Sequence, residues 1–314
     1  MCKEITPFVK WAGGKGQLID KIEERFPTEF GKSINRYIEP FVGGGALLIH
    51  ILSDKRYENV KEIYINDINV RLINTYLAIK KSVDPVLELL KTYQDEYNQL
   101  FPTKEDQKAF RTHYYYTKRD LFNSYKDDLI HSHIEAGKPH VESAALFTFL
   151  NRTCFNGLYR VNSQGDYNVP MGRYVHPRIY DEANLRALSQ ALQRVTILTG
   201  PYKNLSSLIS EHSLVYCDPP YRPLTETASF TSYAKFSFND EDQKELAEWA
   251  TKMAAENKGY FILSNSDPHN IDKNDNFFDD IYRDFTIERI LAKRRISRDK
   301  STRKDVYELL IHNK

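Results

Sequence analysis

The sequence is poor in cysteine and has no long apolar run and no excess charge of either sign. Three cysteines occur in 314 residues: Cys2, Cys154 and Cys217. They lie far apart, which excludes a disulfide framework and any zinc site built on a CxxC pair. No apolar stretch approaches the ~20 residues needed to span a bilayer. The opening Met1–Ile5 has no apolar core of a signal peptide. A soluble, reducing, cytoplasmic setting with no membrane partner is therefore expected. Lys and Arg number 44 against 43 Asp and Glu, a net charge of +1. Such a chain is not coated in positive charge, so if it binds nucleic acid its cations must gather on one face. One local excess exists. Arg289, Lys293, Arg294, Arg295, Arg298, Lys300, Arg303 and Lys304 face the single acid Asp299. By itself such a stretch reads as a solvated loop.

What is present is globular. Hydrophobic residues make up 41% and aromatics 13%, enough for one large core or two unequal ones, and no low-complexity tract appears. The first segment alternates strand and helix. A buried strand over Tyr37–Phe41 ends at Gly43-Gly44-Gly45, and an apolar helix follows from Ala46 to Leu52. A second strand, Glu62 to Asn66, runs into Asp67 and a helix from about Asn69 to Lys80. From Pro85 to about Leu150 the patterns are helical, ending in a hairpin or loop with a turn at Ser163–Asp166. Alternation then resumes, with strands at Val195–Leu198, Leu214–Cys217, Tyr260–Leu263 and Val306–Ile311. A helix over Asp240–Ala255 carries Leu246, Trp249 and Met253 on one face. The fold class is α/β: a doubly wound, Rossmann-like sheet with an inserted, mostly helical unit. The expected domains are residues 1–80 and 191–314, together forming one α/β body, with 81–190 inserted between them.

Ligands of open α/β sheets bind at the carboxyl ends of strands, and three such ends carry notable residues. The glycines at 43–45 permit close backbone approach and open a helix whose N–H groups point outward. They do not form a dinucleotide fingerprint, because Leu48 stands where the last glycine belongs. Trp11–Gln17 is not a phosphate loop, because Gly16 follows Lys15 where Ser or Thr must hold magnesium. A tight turn alone is the plain reading of both clusters. Asp67 can accept both hydroxyls of a ribose; alternatively, Asp67 or Asn69 caps a helix. Asp218-Pro219-Pro220-Tyr221 is the sharpest signal. Two prolines stop the strand and remove two N–H donors, leaving carbonyls and a carboxylate as a purely accepting edge. That edge suits an exocyclic amine with two hydrogens to offer, and Tyr221 supplies a ring on which a base can stack.

Phe41-Val42-Gly43-Gly44-Gly45 followed by Asp218-Pro219-Pro220-Tyr221 resembles the paired motifs of amino-group DNA methyltransferases. The motif order, with an insertion between, is similar to the alpha group. Phe8–Lys15, Asn156–Asn162, Tyr167–Pro170, Gly172–Tyr174, Phe230–Tyr233 and Leu263-Ser264-Asn265 resemble segments of Dam- and DpnM-like adenine-N6 methyltransferases. The resemblance covers nearly the whole chain and is weakest between about Pro85 and His140. It implies methyl transfer from S-adenosylmethionine to N6 of adenine in double-stranded DNA, on GATC, with base flipping and no metal. It assigns 81–190 to target recognition.

The same resemblance implies residue roles. Asp218, Pro219, Pro220 and Tyr221 would be catalytic. Asp218 and the Pro219 carbonyl would each accept one N6 hydrogen, and Tyr221 would stack on the base. Trp11, Lys15, Phe41, Gly43, Gly45, Asp67 and Asp218 would bind the co-substrate; without the resemblance, a core aromatic is the rival reading of Trp11. Lys10, Phe155, Asn156, Leu158, Arg160, Pro170 and Tyr174 would contact DNA. Phe155 stands where Dam has a tyrosine, which keeps stacking and loses a hydroxyl. Arg160 fits two-pronged guanine recognition, although a phosphate contact is its ordinary reading. A loop over Phe230–Phe238 is expected near the target, and the basic stretch near DNA. A monomer or weak dimer is expected, with a companion endonuclease if the protein serves restriction–modification. Cys217, beside Asp218, points to the opposite face of its strand and reads as core. Rival readings are methylation of cytosine N4, RNA or a protein amine, and a non-catalytic DNA-binding regulator on the same fold. A zinc enzyme is not expected, because the histidines are scattered and the closest pair, His131 and His133, has no nearby cysteine.

Overall fold

A computed structural model of the chain describes residues 5–222, 238–292 and 306–313. Cys2, the Phe230–Tyr233 segment, the loop leading to Phe238, and Lys293 to Lys304 of the basic stretch lie outside the described residues. In chain order the elements are α1 (Ile19–Glu23), β1 (Arg36–Glu39), α2 (Ala46–Ser53), β2 (Glu62–Asp67), α3 (Val70–Lys81), α4 (Val83–Tyr97), α5 (Lys104–Ser124), α6 (Asp127–Glu135) and α7 (Val141–Thr153). There follow α8 (Glu182–Ala191), β3 (Val195–Thr199), β4 (Ser213–Cys217), α9 (Asp240–Asn257), β5 (Tyr260–Ser266), α10 (Phe277–Ile281), β6 (Thr286–Ala292) and β7 (Val306–His312).

The strands form one mixed seven-stranded sheet in the order β3-β2-β1-β4-β5-β7-β6. β1 pairs parallel with β2 and β4, and β4 pairs parallel with β5. β7 is antiparallel to both β5 and β6. The carboxyl ends of β2, β1, β4 and β5 therefore share one edge, where ligands of such sheets bind. This is the α/β class expected, with helices flanking the sheet.

By internal contacts the chain divides into two units. One contains residues 15–42, 54–65 and 201–314. Its centre is β4, all five residues of which are buried, and β5, with six of seven buried. Strands covered on both faces read as unbroken apolar runs, which is why both were evident from sequence. β1 stops at Glu39 rather than continuing to Phe41, because Pro40 has no N–H for the ladder. β6 was not anticipated. It is a half-buried edge strand, and its charged Glu288 and Arg289 mask its alternation. Arg289 is correspondingly not part of a solvated loop. Its guanidinium lies 2.7 Å from Asp279 and 3.3 Å from Asp267.

The other unit contains residues 1–14, 43–53 and 66–200. Its centre is α7, in which ten of thirteen residues are buried. A helix apolar nearly all round needs other helices on several sides, and α3, α4 and α5 pack on it. Arg71 of α3 is buried too. It pairs with Asp127 at 2.8 Å, donates to the Phe122 carbonyl, and lies over the Phe122 ring. Beyond α7, where a hairpin or loop was expected, the chain forms a loop with isolated antiparallel bridges, Cys154 with Met171 and Val161 with Tyr167. Among the described residues, no helix is long and apolar enough to cross a membrane.

Candidate active site

The glycine turn between β1 and α2 is shaped by one aromatic ring. The Trp11 indole stacks on Phe147 and Tyr159, with ring centres 6.5 and 5.9 Å away and planes within 24° and 22°. It is half-buried, so it is not an ordinary core aromatic. Gly43 has φ +48°, and a Cβ there would lie 2.7 Å from Trp11 Nε1. Both backbone conformation and close approach thus demand glycine. The Gly43 N–H donates to Asp67 Oδ2 at 3.1 Å, and the Asn69 N–H donates to Oδ1 at 2.9 Å. Burial pushes the Asp67 carboxyl up to about 6, opposed by the amides of Asn69 and Gly43. The helix cap is Asn69, whose side chain accepts from Leu72 N–H at 3.1 Å. Asp67 is therefore not occupied as a cap. Its two oxygens accept these amides, and a carboxylate has further acceptor capacity for a hydroxyl donor. A flat indole packed on the glycine turn and an accepting carboxylate beside it suit the ribose and adenine of a nucleoside.

The second group is built on the other unit, at the end of β4. Lys15 Nζ lies 2.9 Å from Asp218 Oδ1; Lys15 is 5% exposed and Asp218 21%. The same ammonium sits 4.5 Å from the centre of the Tyr221 ring. The Tyr221 hydroxyl donates to Glu308 Oε2 at 2.8 Å, which holds the ring from β7. Burial raises the Asp218 carboxyl to about 6; Lys15 opposes this and Glu308 adds to it. Cys217 is buried, and burial followed by the Asp218 charge pushes its thiol up. That fits a core residue rather than a nucleophile. Phe41 is half-buried against Tyr202 and Phe238, with ring centres 5.5 and 6.0 Å away.

The third group clusters around the end of α7. Phe155, Asn156, Leu158, Arg160 and Pro170 are exposed, and Lys10 and Tyr174 are half-buried. Asn151, a buried residue of α7, ties them together. It accepts from Lys10 N–H at 2.7 Å and donates to the carbonyls of Lys10 and Gly157 at 2.8 and 3.0 Å. Gly157 lets the Lys10 side chain pass; a Cβ there would meet Lys10 Cδ at 2.4 Å. Lys10 Nζ donates to the Tyr174 hydroxyl at 3.0 Å. Phe155 N–H donates to the Pro170 carbonyl at 2.8 Å. Arg160 Nε donates to Asn168 Oδ1 at 2.7 Å, which sets the direction of the guanidinium. Among the described residues no cluster of His, Cys, Asp or Glu could hold a metal ion.

Residues 11–296 match the model of a family described as D12 class N6 adenine-specific DNA methyltransferase. The chain belongs to this family. A protein named Type II methyltransferase M.MjaIII, from Methanocaldococcus jannaschii, is 44% identical over 313 residues, 99% of each chain. One named Type II methyltransferase M1.LlaDCHI, from Lactococcus lactis subsp. cremoris, is 35% identical across 98% of this chain and 95% of its own. A protein named DNA adenine methylase, from Haemophilus influenzae, is 32% identical across 97% and 92%.

Several residues of this D12 methyltransferase's site escape sequence reasoning. Asn151 adjoins the motifs but shows no pattern of its own, and Asn168 lies inside the Tyr167–Pro170 segment with nothing there to mark its bond to Arg160. Glu308 stands 87 positions from Tyr221, and nothing local marks it. Gln243 of α9, which reaches the Pro220 carbonyl at 3.0 Å, did leave a trace: it is a polar residue on the same stripe as Leu246, Ala250 and Met253.

The Gly43 geometry carries a direct test. Gly43→Ala should lower unfolding free energy by roughly 1–3 kcal/mol in urea titrations and perturb the fluorescence of Trp11. Stability and emission equal to the parent protein would contradict the close approach.

Proposed function

We propose that this D12 methyltransferase transfers a methyl group to N6 of adenine within duplex GATC, after swinging the base out of the helix. The observation that carries the reading is the strap Asp218-Pro219-Pro220-Tyr221, with its half-buried carboxylate ion-paired to the buried Lys15. S-adenosylmethionine supplies the methyl group as an electrophilic sulfonium.

N6 is a poor nucleophile because its lone pair is delocalised into the purine ring. Asp218 accepts one N6 hydrogen and the Pro219 carbonyl accepts the other, which draws the nitrogen out of conjugation. Positioning and electrostatics then supply the acceleration, with no covalent enzyme intermediate. Tyr221 receives the extruded base by stacking, its ring held by Glu308 on one side and Lys15 on its face. Asp67 takes the ribose hydroxyls of the co-substrate, Trp11 packs against it, Gly43 and Gly45 allow its approach, and Phe41 and Lys15 complete the binding set.

Residues 81–190 form the target-recognition portion. Arg160 reads a guanine with two hydrogen bonds, supported by its fixed direction from Asn168. Lys10 contacts the other guanine. Leu158 and Pro170 meet thymine methyl groups, Phe155 fills the vacated stack, and Asn156 and Tyr174 line the same interface. The Type II names of two relatives support a companion endonuclease as partner.

Plasmid DNA treated with the enzyme and S-adenosylmethionine should become resistant to a nuclease blocked by adenine methylation in GATC and sensitive to one that requires it. Asp218→Ala should give no protection while still binding DNA. Methylation at another sequence, or full activity of the variant, would overturn the reading.

Arg160→Ala should cost about 1–3 kcal/mol and relax the choice at one base pair. Unchanged discrimination across altered sites would show that Arg160 contacts phosphate only.

A further inference from the structure

Pro219 and Pro220 have no N–H, so the middle of the strap after β4 offers no backbone donor to tie it down. Side chains must fix it instead. Gln243 of α9, fully buried, donates from Nε2 to the Pro220 carbonyl at 3.0 Å. Its Oε1 accepts from Asn265 Nδ2 at 3.1 Å. Asn265 of β5 is 3% exposed, and its Oδ1 accepts from the N–H groups of Arg222 at 3.3 Å and Ser266 at 2.9 Å.

The direction of this relay is determined. Two backbone donors require the oxygen of Asn265, so its NH2 must face Gln243. Gln243 must then answer with oxygen and turn its own NH2 to the Pro220 carbonyl. The relay holds the strap on both sides of Tyr221. Arg222 is anchored further by Asp240 at 2.8 and 3.0 Å and Asp275 at 2.6 Å. Among the described residues, none donates to the Pro219 carbonyl.

We propose that Gln243 and Asn265 are positioning residues for methyl transfer: their amide relay engages the Pro220 carbonyl and fixes the strap so that the Pro219 carbonyl meets the amine. The proposal rests on the strap being the base-accepting edge. It explains why a polar residue stands on the buried stripe of α9, where an apolar one would cover the same surface without this cost of burial.

Two near-isosteric variants test it. Gln243→Met keeps length and removes both bonds. Asn265→Asp keeps the acceptor for Arg222 and Ser266 but removes the donor. Gln243 must then flip and turn its oxygen on the Pro220 carbonyl. Rates of methylation in a single turnover are measured per folded enzyme, with saturating DNA and S-adenosylmethionine. Each variant should lose roughly 10- to 100-fold, the scale set by a small misplacement of reacting groups. Co-substrate affinity should stay within about twofold, because a relay that acts only on the strap changes positioning rather than uniform binding. The double variant should be no slower than the slower single one, because the relay acts as a unit.

A single-turnover rate within about threefold of the parent in both variants would overturn the proposal, the margin being small against the loss expected from misplacement. So would losses that multiply in the double variant, or losses matched by weaker co-substrate binding. Asp218→Ala is run in parallel. If that variant methylates at full rate, the strap reading itself fails. If it is inactive while both relay variants are at full rate, only the relay fails.

Discussion

A strand that ends in two successive prolines sets the terms for everything around it. β4 delivers Asp218 at the edge of the sheet, and the prolines that follow remove the donors that a turn would ordinarily spend on itself. The result is a backbone with acceptors to offer. Each acceptor must be matched by a donor or left for one that arrives with a substrate. Lys15 matches one oxygen of Asp218, Gln243 matches the Pro220 carbonyl, and Asn265 captures the N–H beyond Tyr221. An adenine amine, with two hydrogens and a delocalised lone pair, is the kind of partner this edge suits.

The electrostatics follow from the same burial. A carboxylate withdrawn from water holds its proton more tightly, and the ammonium of Lys15 offsets part of that tendency. Lys15 also lies over the Tyr221 ring, so one buried cation both tempers the acid and packs on that ring. Asp67 is held differently. Burial raises it as well, but backbone amides rather than a cation stabilise its charge.

Local patterns made much of this readable in the sequence. β4 and β5 announce themselves as apolar runs, the glycines at 43–45 as a turn, and Asp218 to Tyr221 as a contiguous motif. Leu246 and Met253 mark the buried face of α9, and both are buried. What stayed hidden depends on partners distant in sequence. Glu308 is one charged residue in a strand until β7 brings it to Tyr221. Arg289 belongs to a basic stretch by sequence but to Asp267 and Asp279 by structure. Asn151 reads as part of a helical run, although its amide holds the Lys10 segment to the loop at Gly157. Sequence periodicity reports burial; it does not report which polar group a buried amide will meet.

The central claim, that ionised Asp218 accepts a hydrogen from the target amine, is tested most directly by the pH dependence of single-turnover methylation. Saturating S-adenosylmethionine removes any contribution from binding at Asp67. The rate should rise with pH through a midpoint of about 6 and level off once Asp218 is ionised. Because Lys15 holds that carboxyl down, Lys15→Met should move the rising limb to higher pH. A rate independent of pH across this range, or a limb that stays in place when Lys15 is replaced, would contradict the account.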